Sequence, residues 1–286
     1  MRWDKVAFAL AGSLLVGLLV FFAGCGSDDN TTTGSSVDYN NPEFLLVQQK
    51  VNDFVDSTLN NLESGLENIY QLATDTTIDP VQYGSHPPDY DSTRDSASAT
   101  YADGWHVVYF AIHRNEYDAH LRDSIRFVKA GVPQQVASGL DSLLYKRFWS
   151  YDETDTTVTC LSCLGNAGYY FGGLDTDQAT ISGSDSWQVH SKFVSPDSTV
   201  WRDISLNATA ADIKVNKSMI GWDQGCPVRG SISASIQMIY QKDSAVPDTS
   251  NWTIDLGFVG GSMSAIVNDG SCVWTYNTQL CSPPTN

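Results

Sequence analysis

The densest group of side chains capable of chemistry lies between positions 106 and 120. It combines histidines, an arginine and two carboxylates: His106, His113, Arg114, Glu116, Asp118 and His120. Such side chains could bind zinc or transfer protons if they converged on one point, and His113 and His120 are expected to face each other across a turn. A solvated hairpin tip is the simpler interpretation, because no HExxH pattern is present. We therefore expect no metal site here.

Other catalytic patterns are missing or incomplete. The chain has no Gly-x-Ser-x-Gly sequence of the kind that presents the nucleophile in many serine hydrolases. The acidic segments 152–155 and 175–177 are similar to calcium loops, but they lack the glycine and the terminal glutamate of an EF-hand. Paired glycosidase carboxylates have no local signature, so a polysaccharide hydrolase remains an alternative. We assign no catalytic residue and expect no cofactor and no metal.

The beginning of the chain has the pattern of an export signal. Residues 6–22 contain no charged side chain, and small residues and Cys25 follow them. This apolar run is slightly shorter than the ~20 residues that cross a bilayer as a helix. A cleaved signal peptide over residues 1–24 is the preferred interpretation, and a membrane anchor is the alternative.

The segment Ala23-Gly24-Cys25 resembles the lipobox of bacterial lipoproteins. The resemblance covers residues 1–25 only. It implies that Cys25 is acylated with palmitate-type chains and becomes the new N-terminus, and that Gly26 favours the outer membrane. Two or three acyl chains would make the attachment to the membrane stable.

The charge of the chain excludes one class of partner. The full chain has a net charge of -17. Cleavage after residue 24 removes Arg2, Lys5 and Asp4, so the mature chain would carry -18. Phosphate backbones repel such a protein. We expect no nucleic-acid partner.

Five cysteines follow Cys25, and in an exported protein disulfides are their default state. These are Cys160, Cys163, Cys226, Cys272 and Cys281. The odd number predicts two bridges and one spare thiol, or an intermolecular pair. Cys226 is expected to pair with Cys272 or Cys281. The Cys160 to Cys163 spacing also fits half of a metal site, but no second half exists and a structural bridge is preferred.

The N-terminal part of the mature chain is predicted to contain a tether and a helix. Residues 25–41 are polar and should form a flexible tether. Over 42–74, apolar residues recur at spacings of three and four, which predicts a long amphipathic helix. The apolar positions are Val47, Val51, Val55, Leu59, Leu62, Leu66, Ile69 and Ala73. The polar face is acidic, so packing on the protein's own sheet is preferred over a membrane surface or an oligomer interface.

The rest of the chain alternates in the way that strands do. Trp105, Trp187 and Trp252 each begin an alternating run that turns and returns, which predicts three hairpins. The segment 231–240 alternates isoleucine, alanine and methionine with serine and glutamine. The prediction is one domain over 42–286. Its fold would be mainly β with one long N-terminal helix, the antiparallel sheet curling into a barrel or sandwich with the helix packed on it.

These expectations favour an outer-membrane lipoprotein without enzymatic activity that binds a hydrophobic ligand or an envelope protein. Its expected architecture is similar to lipocalin-like or lipoprotein-carrier barrels, which is an argument from fold alone. The alternatives are the tethered polysaccharide hydrolase and a structural or adhesive module that uses exposed tryptophans.

Overall fold

The computed structural model describes residues 39–40, 44–45, 47–48, 90–115, 117–153, 159–195, 197–217 and 227–280. Within these ranges the chain forms twelve strands. The first six are β1 (Ser96–Ala102), β2 (Trp105–His113), β3 (Tyr117–Lys129), β4 (Val132–Gln134), β5 (Ser142–Glu153) and β6 (Thr159–Gly172). The others are β7 (Gln178–Ser195), β8 (Ser198–Asn216), β9 (Pro227–Lys242), β10 (Asp248–Val259), β11 (Ser262–Asn268) and β12 (Val273–Gln279).

The strands form one antiparallel meander in which each strand pairs with the next along the chain. The exception is β4, which pairs with β3 alone, so that β3 and β5 are neighbours. Three of the connections are two-residue loops with positive φ at both positions: 103–104, 130–131 and 260–261. Positive φ at both positions is the geometry of a type I′ turn, whose twist matches that of the two strands in a hairpin. Glycine at the second position favours this turn. All three predicted hairpins, β2–β3, β7–β8 and β10–β11, are confirmed.

The predicted barrel or sandwich with a long helix packed on it is wrong. The strands form a single open sheet in which β1 and β12 are the two ends of the strand order. The described residues include no continuous helix. Phe44, Leu45, Val47 and Gln48 have helical backbone, and the remainder of 42–74 lies outside the described residues. The prediction failed because alternation and tight turns are the same in an open meander and a closed one.

No helix in the described ranges is long and apolar enough to cross a membrane. The proposed signal peptide, Cys25 and nearly all of the tether lie outside these ranges.

Strand alternation gives the sheet two faces, here named the core face and the outer face. The core face carries one continuous apolar cluster that extends from β2 to β12. It includes Val108, Leu143, Ile213 and Val267, each with an exposed fraction of 0%. The outer face carries mainly polar residues. Phe44 packs on the core face and stacks on Trp274, with 5.0 Å between ring centroids.

Two glycines on the core face allow aromatic rings to lie against the backbone. Gly165 of β6 lies under the indole of Trp149, and Gly183 of β7 lies under Tyr169. A Cβ atom at either position would overlap the ring. Aromatic residues that cover strand glycines in this way also fix the pairing register. These contacts hold β5, β6 and β7 in place relative to one another.

We expect Gly165→Ala to destabilise the fold by roughly 1–3 kcal/mol, because the new methyl group forces Trp149 out of its position. The matched control is Gly168→Ala on the same strand, where a Cβ atom would meet nothing within 4 Å. That control should change the free energy of unfolding by less than about 1 kcal/mol. Urea unfolding of both variants measures the difference. Equal effects would show that the Trp149 contact does not constrain the sheet.

Candidate functional site

The predicted histidine cluster does not converge on one point. His113, Asp118 and His120 meet on the outer face of the β2–β3 hairpin, where His113 Nδ1 lies 2.7 Å from Asp118 Oδ1. His120 Nδ1 lies 2.8 Å from the Tyr109 hydroxyl. The two imidazole centroids are 5.7 Å apart, as expected for residues facing each other across the turn.

The other members of that cluster lie elsewhere. His106 is buried on the core face, where its Nε2 donates a hydrogen bond to the Gln135 carbonyl at 2.8 Å. Burial lowers the pKa of this imidazole. Arg114 forms an ion pair with Asp95, and Glu116 lies outside the described residues. Among the residues that the structure describes, no three His, Cys, Asp or Glu side chains are arranged to hold a metal ion.

The cysteines differ in state. Cys163 is a free thiol on the core face, and burial raises its pKa to about 12. It therefore takes no part in a bridge with Cys160. Cys272 is disulfide-bonded. Cys25, Cys226 and Cys281 lie outside the described residues.

A polar cluster interrupts the apolar core face near the middle of the long strands. Its members, here named the Asp185 cluster, are Asp123, Tyr145, Arg147, Tyr169 and Asp185. The register places Asp123 opposite Arg147, Arg147 opposite Ala167, and Ala167 opposite Asp185. Tyr145 and Tyr169 are opposite each other in a neighbouring row. Residues far apart in sequence thus meet on four adjacent strands.

Asp123 and Arg147 form a buried bidentate ion pair. Arg147 Nε lies 2.7 Å from Asp123 Oδ1, and Nη2 lies 2.6 Å from Oδ2. The Tyr145 hydroxyl donates a further hydrogen bond to Asp123 Oδ1 at 3.0 Å. The exposed fractions are 1% for the Asp123 side chain and 10% for Arg147. A buried pair of this kind is tolerated only when its hydrogen bonds are satisfied, as they are here.

Asp185 is the second carboxylate of the cluster, and its environment is different. Its carboxylate has no side-chain hydrogen-bond partner among the described residues, and the Ser186 amide donates to it. Burial raises the pKa of Asp185 to about 6, while this amide and Arg147 act in the opposite direction. Its cross-strand neighbours on the same face are Ala167 and Ala208. The cross-strand neighbours on both sides of the carboxylate are therefore small and uncharged.

Aromatic rings lie on either side of Asp185 along the strands. Trp187 is two residues further on β7 and points to the same face. In the other direction Tyr169 lies over Gly183. Trp149 covers Gly165, and Gly165 is opposite Trp187. Trp149 and Trp187 therefore lie in the same cross-strand row, next to the row of Asp185. Asp185 is thus a half-buried carboxylate among aromatic side chains.

The outer face carries a second arrangement, in which Ser162, His190 and Asp203 occupy one row across β6, β7 and β8. His190 Nδ1 is hydrogen-bonded to Asp203 Oδ1. Serine hydrolases use these residue types together, but they also need amide donors for an oxyanion. Ser162 lies within β6, which pairs with strands on both sides, so the ladders use the backbone N–H groups around it. The row therefore lacks a necessary part of a hydrolase.

The sequence contained a signal for one of these arrangements. The run from Trp187 and its return form one of the predicted hairpins, and with Ser195 opposite Ser198 this hairpin places His190 opposite Asp203. The Asp185 cluster had no such signal, since it depends on β6, a strand that the alternation did not reveal.

No protein-family model matches this chain, and no curated protein or solved structure shows significant similarity to it.

Asp123→Asn should destabilise the protein by roughly 3–5 kcal/mol, because it leaves the Arg147 guanidinium buried without its counter-charge. The control is Asp118→Asn. Asp118 pairs with His113 on the surface, where the side chain of Asp118 is 56% exposed and that of His113 is 61% exposed. Asp118→Asn should lower the free energy of unfolding by less than about 1 kcal/mol. Urea unfolding at pH 7 tests both variants. A loss in Asp123→Asn no larger than that in the control would contradict the role given to the buried pair.

Asp185→Asn should stabilise the protein at pH 7.5 by roughly 1–3 kcal/mol. In the folded protein the pKa of Asp185 is about 6, whereas an unfolded aspartate titrates near ~3.9. The wild type therefore loses stability as the pH rises from about 4 to 6, because the folded state holds a proton that the unfolded state has released. The advantage of the variant should disappear towards pH 4.

This difference is measured as the unfolding free energy of variant minus wild type at several pH values. Asp255→Asn removes an exposed carboxylate from the outer face and is the control for the change in net charge.

Proposed function

We propose that this chain is an outer-membrane lipoprotein, anchored through acylated Cys25, whose sheet binds an amphipathic ligand. The observation that carries the proposal is the Asp185 cluster: a polar site set within an apolar face that is only partly covered. The apolar part would hold the ligand's hydrocarbon body, and the cluster would hold its polar head.

The core face changes along the strands in a way that supports a binding surface. On one side of the Asp185 row it is fully buried, as at Phe171, Ile181 and Ile213. On the other side buried residues such as Val189 and Leu206 lie among apolar side chains that pack on the core but stay partly exposed. We name this part the distal core face: Trp149, Trp187, Ile204 and Met238.

The register makes the distal core face continuous. Trp187 is opposite Gly165, which Trp149 covers, and in the adjoining row Val189 is opposite Ile204, which is opposite Met238. Partly exposed apolar surface that joins a few convergent polar groups is typical of ligand sites. An apolar molecule that covered these partly exposed side chains would remove their apolar surface from water, which favours binding.

The hydrolase alternative has less support. The two carboxylates of the cluster are three strands apart, which is about 14 Å along the sheet. Glycosidase carboxylates lie ~5–9.5 Å apart. Asp123 is also fully occupied by Arg147 and Tyr145. The cluster therefore provides one available carboxylate, which suits recognition better than acid–base catalysis by a pair.

The binding proposal is tested with a neutral apolar fluorophore, N-phenyl-1-naphthylamine, titrated into the purified protein. Trp187→Ala should raise its Kd at least about tenfold, because the indole supplies much of the apolar contact. The control is Trp201→Ala on the outer face, where Trp201 packs against His190, and it should leave Kd unchanged. Urea unfolding of both variants separates lost binding from lost fold. A wild type that does not bind the fluorophore, or equal losses in the two variants, would reject the proposal.

The anchor is tested by the intact mass of membrane-extracted protein, wild type and Cys25→Ala. The wild type should lack residues 1–24 and carry the added mass of acyl chains, and the variant should lack both changes. A wild type that is soluble, or that has the same mass as the variant apart from the substitution, would exclude lipidation.

A further inference from the structure

We infer that the polar head recognised at the Asp185 cluster is a cation, an ammonium group on an amphipathic molecule, with Asp185 as its counter-ion. This inference rests on the proposed function and adds the chemical class of the ligand to it.

The charge balance of the cluster is the first step. Asp123 and Arg147 neutralise each other through a bidentate pair. Among the described residues Asp185 has no side-chain partner, so these five side chains together carry one unbalanced negative charge when Asp185 is ionised. An anionic head would meet a guanidinium that Asp123 already occupies. An ammonium group would compensate for the hydration that the Asp185 carboxylate loses when folding buries it.

The shape of the surroundings is the second step. Ala167 and Ala208 flank Asp185 across the sheet, so that no long side chain covers the carboxylate from β6 or β8. Along the strand direction it lies between Tyr169 and Trp187. Aromatic faces attract ammonium groups through their quadrupoles, and the attraction increases as water is excluded. A carboxylate among aromatic rings therefore suits a methylated or primary ammonium better than it suits a hydroxyl.

The titration of Asp185 should regulate this binding. Within the described part of the chain, the charged or titratable groups that face it are Arg147 from β5 and Tyr169 from β6, while β8 presents the uncharged Ala208. Burial together with the nearby Asp185 raises the pKa of Tyr169. Both neighbours thus keep their charge state between pH 5 and 8. Protonation of Asp185 itself, with a pKa of about 6, removes the unbalanced charge.

The experiment compares three probes with the same twelve-carbon chain: dodecyltrimethylammonium, dodecyl sulfate and dodecyl maltoside. Each is titrated as monomer into the full protein at pH 7.5 and at pH 5 by calorimetry. At pH 7.5 the ammonium probe should bind at least about tenfold more tightly than the other two. At pH 5 its Kd should rise about tenfold, since only about a tenth of Asp185 is then ionised. The maltoside should be insensitive to pH.

Two variants complete the design. Asp185→Asn should remove both the preference for ammonium and its dependence on pH, while the binding of dodecyl maltoside is retained. Asp255→Asn makes the same change in net charge on the outer face and should preserve both. This control matters because an acidic protein attracts any cation over a long range.

The outcomes distinguish the inference from the proposal beneath it. If none of the three probes binds, the proposed amphipathic site itself is wrong. If all three bind equally, or if Asp255→Asn weakens the ammonium probe as much as Asp185→Asn does, the site stands and the assignment of a cationic ligand is overturned.

Discussion

The cross-strand register of β5, β6 and β7 is the constraint on which both faces of this sheet depend. A slip of one residue would exchange the faces, moving Asp185 outwards and its serine neighbours into the apolar core. Two contacts oppose such a slip, because Trp149 lies over Gly165 and Tyr169 over Gly183, where a Cβ atom would overlap the ring. The glycines weaken the strands locally, but they create the space in which large rings act as register markers. Alanine residues, Ala167 and Ala208, flank Asp185 across the strands.

The buried pair between Asp123 and Arg147 makes a related contribution. Such pairs add little net stability compared with apolar residues, since desolvation offsets most of the Coulomb attraction. Their value here is directional: a bidentate guanidinium with an added phenol hydrogen bond from Tyr145 fits only one alignment of β3 with β5. Asp185 is different, because nothing in the fold requires its charge. Carboxylates held at a cost in stability, with a raised pKa, are found more often at functional sites than elsewhere.

Local sequence signals predicted local structure well. The three hairpins were visible because each tryptophan begins an alternating run that turns and returns, and Gly260-Gly261 suits the positive φ of its turn. β9 was visible because its alternation is nearly complete. β1 and β6 were missed. The first is a run of serine and alanine without large apolar residues, and the second mixes glycine with aromatics on both faces. Their strand character comes from their partners. Without β6 the row from Asp123 to Asp185 does not exist, so the candidate site could not be derived from the sequence. The sequence also could not show whether the sheet is open or closed, since that depends on whether the first and last strands pair with each other.

The regularity of the sheet also limits the chemistry that it can perform. Inside a meander each strand engages its backbone donors and acceptors with both neighbours, so the middle of the sheet offers side chains alone. Ser162, His190 and Asp203 show the consequence: three residue types used in acyl transfer lie in one row, but the amide groups that would stabilise an oxyanion are already engaged. Binding requires less. An apolar surface, a carboxylate and aromatic rings act through side chains only, and the core face provides all three beside one another. The physical character of the sheet therefore favours recognition over catalysis.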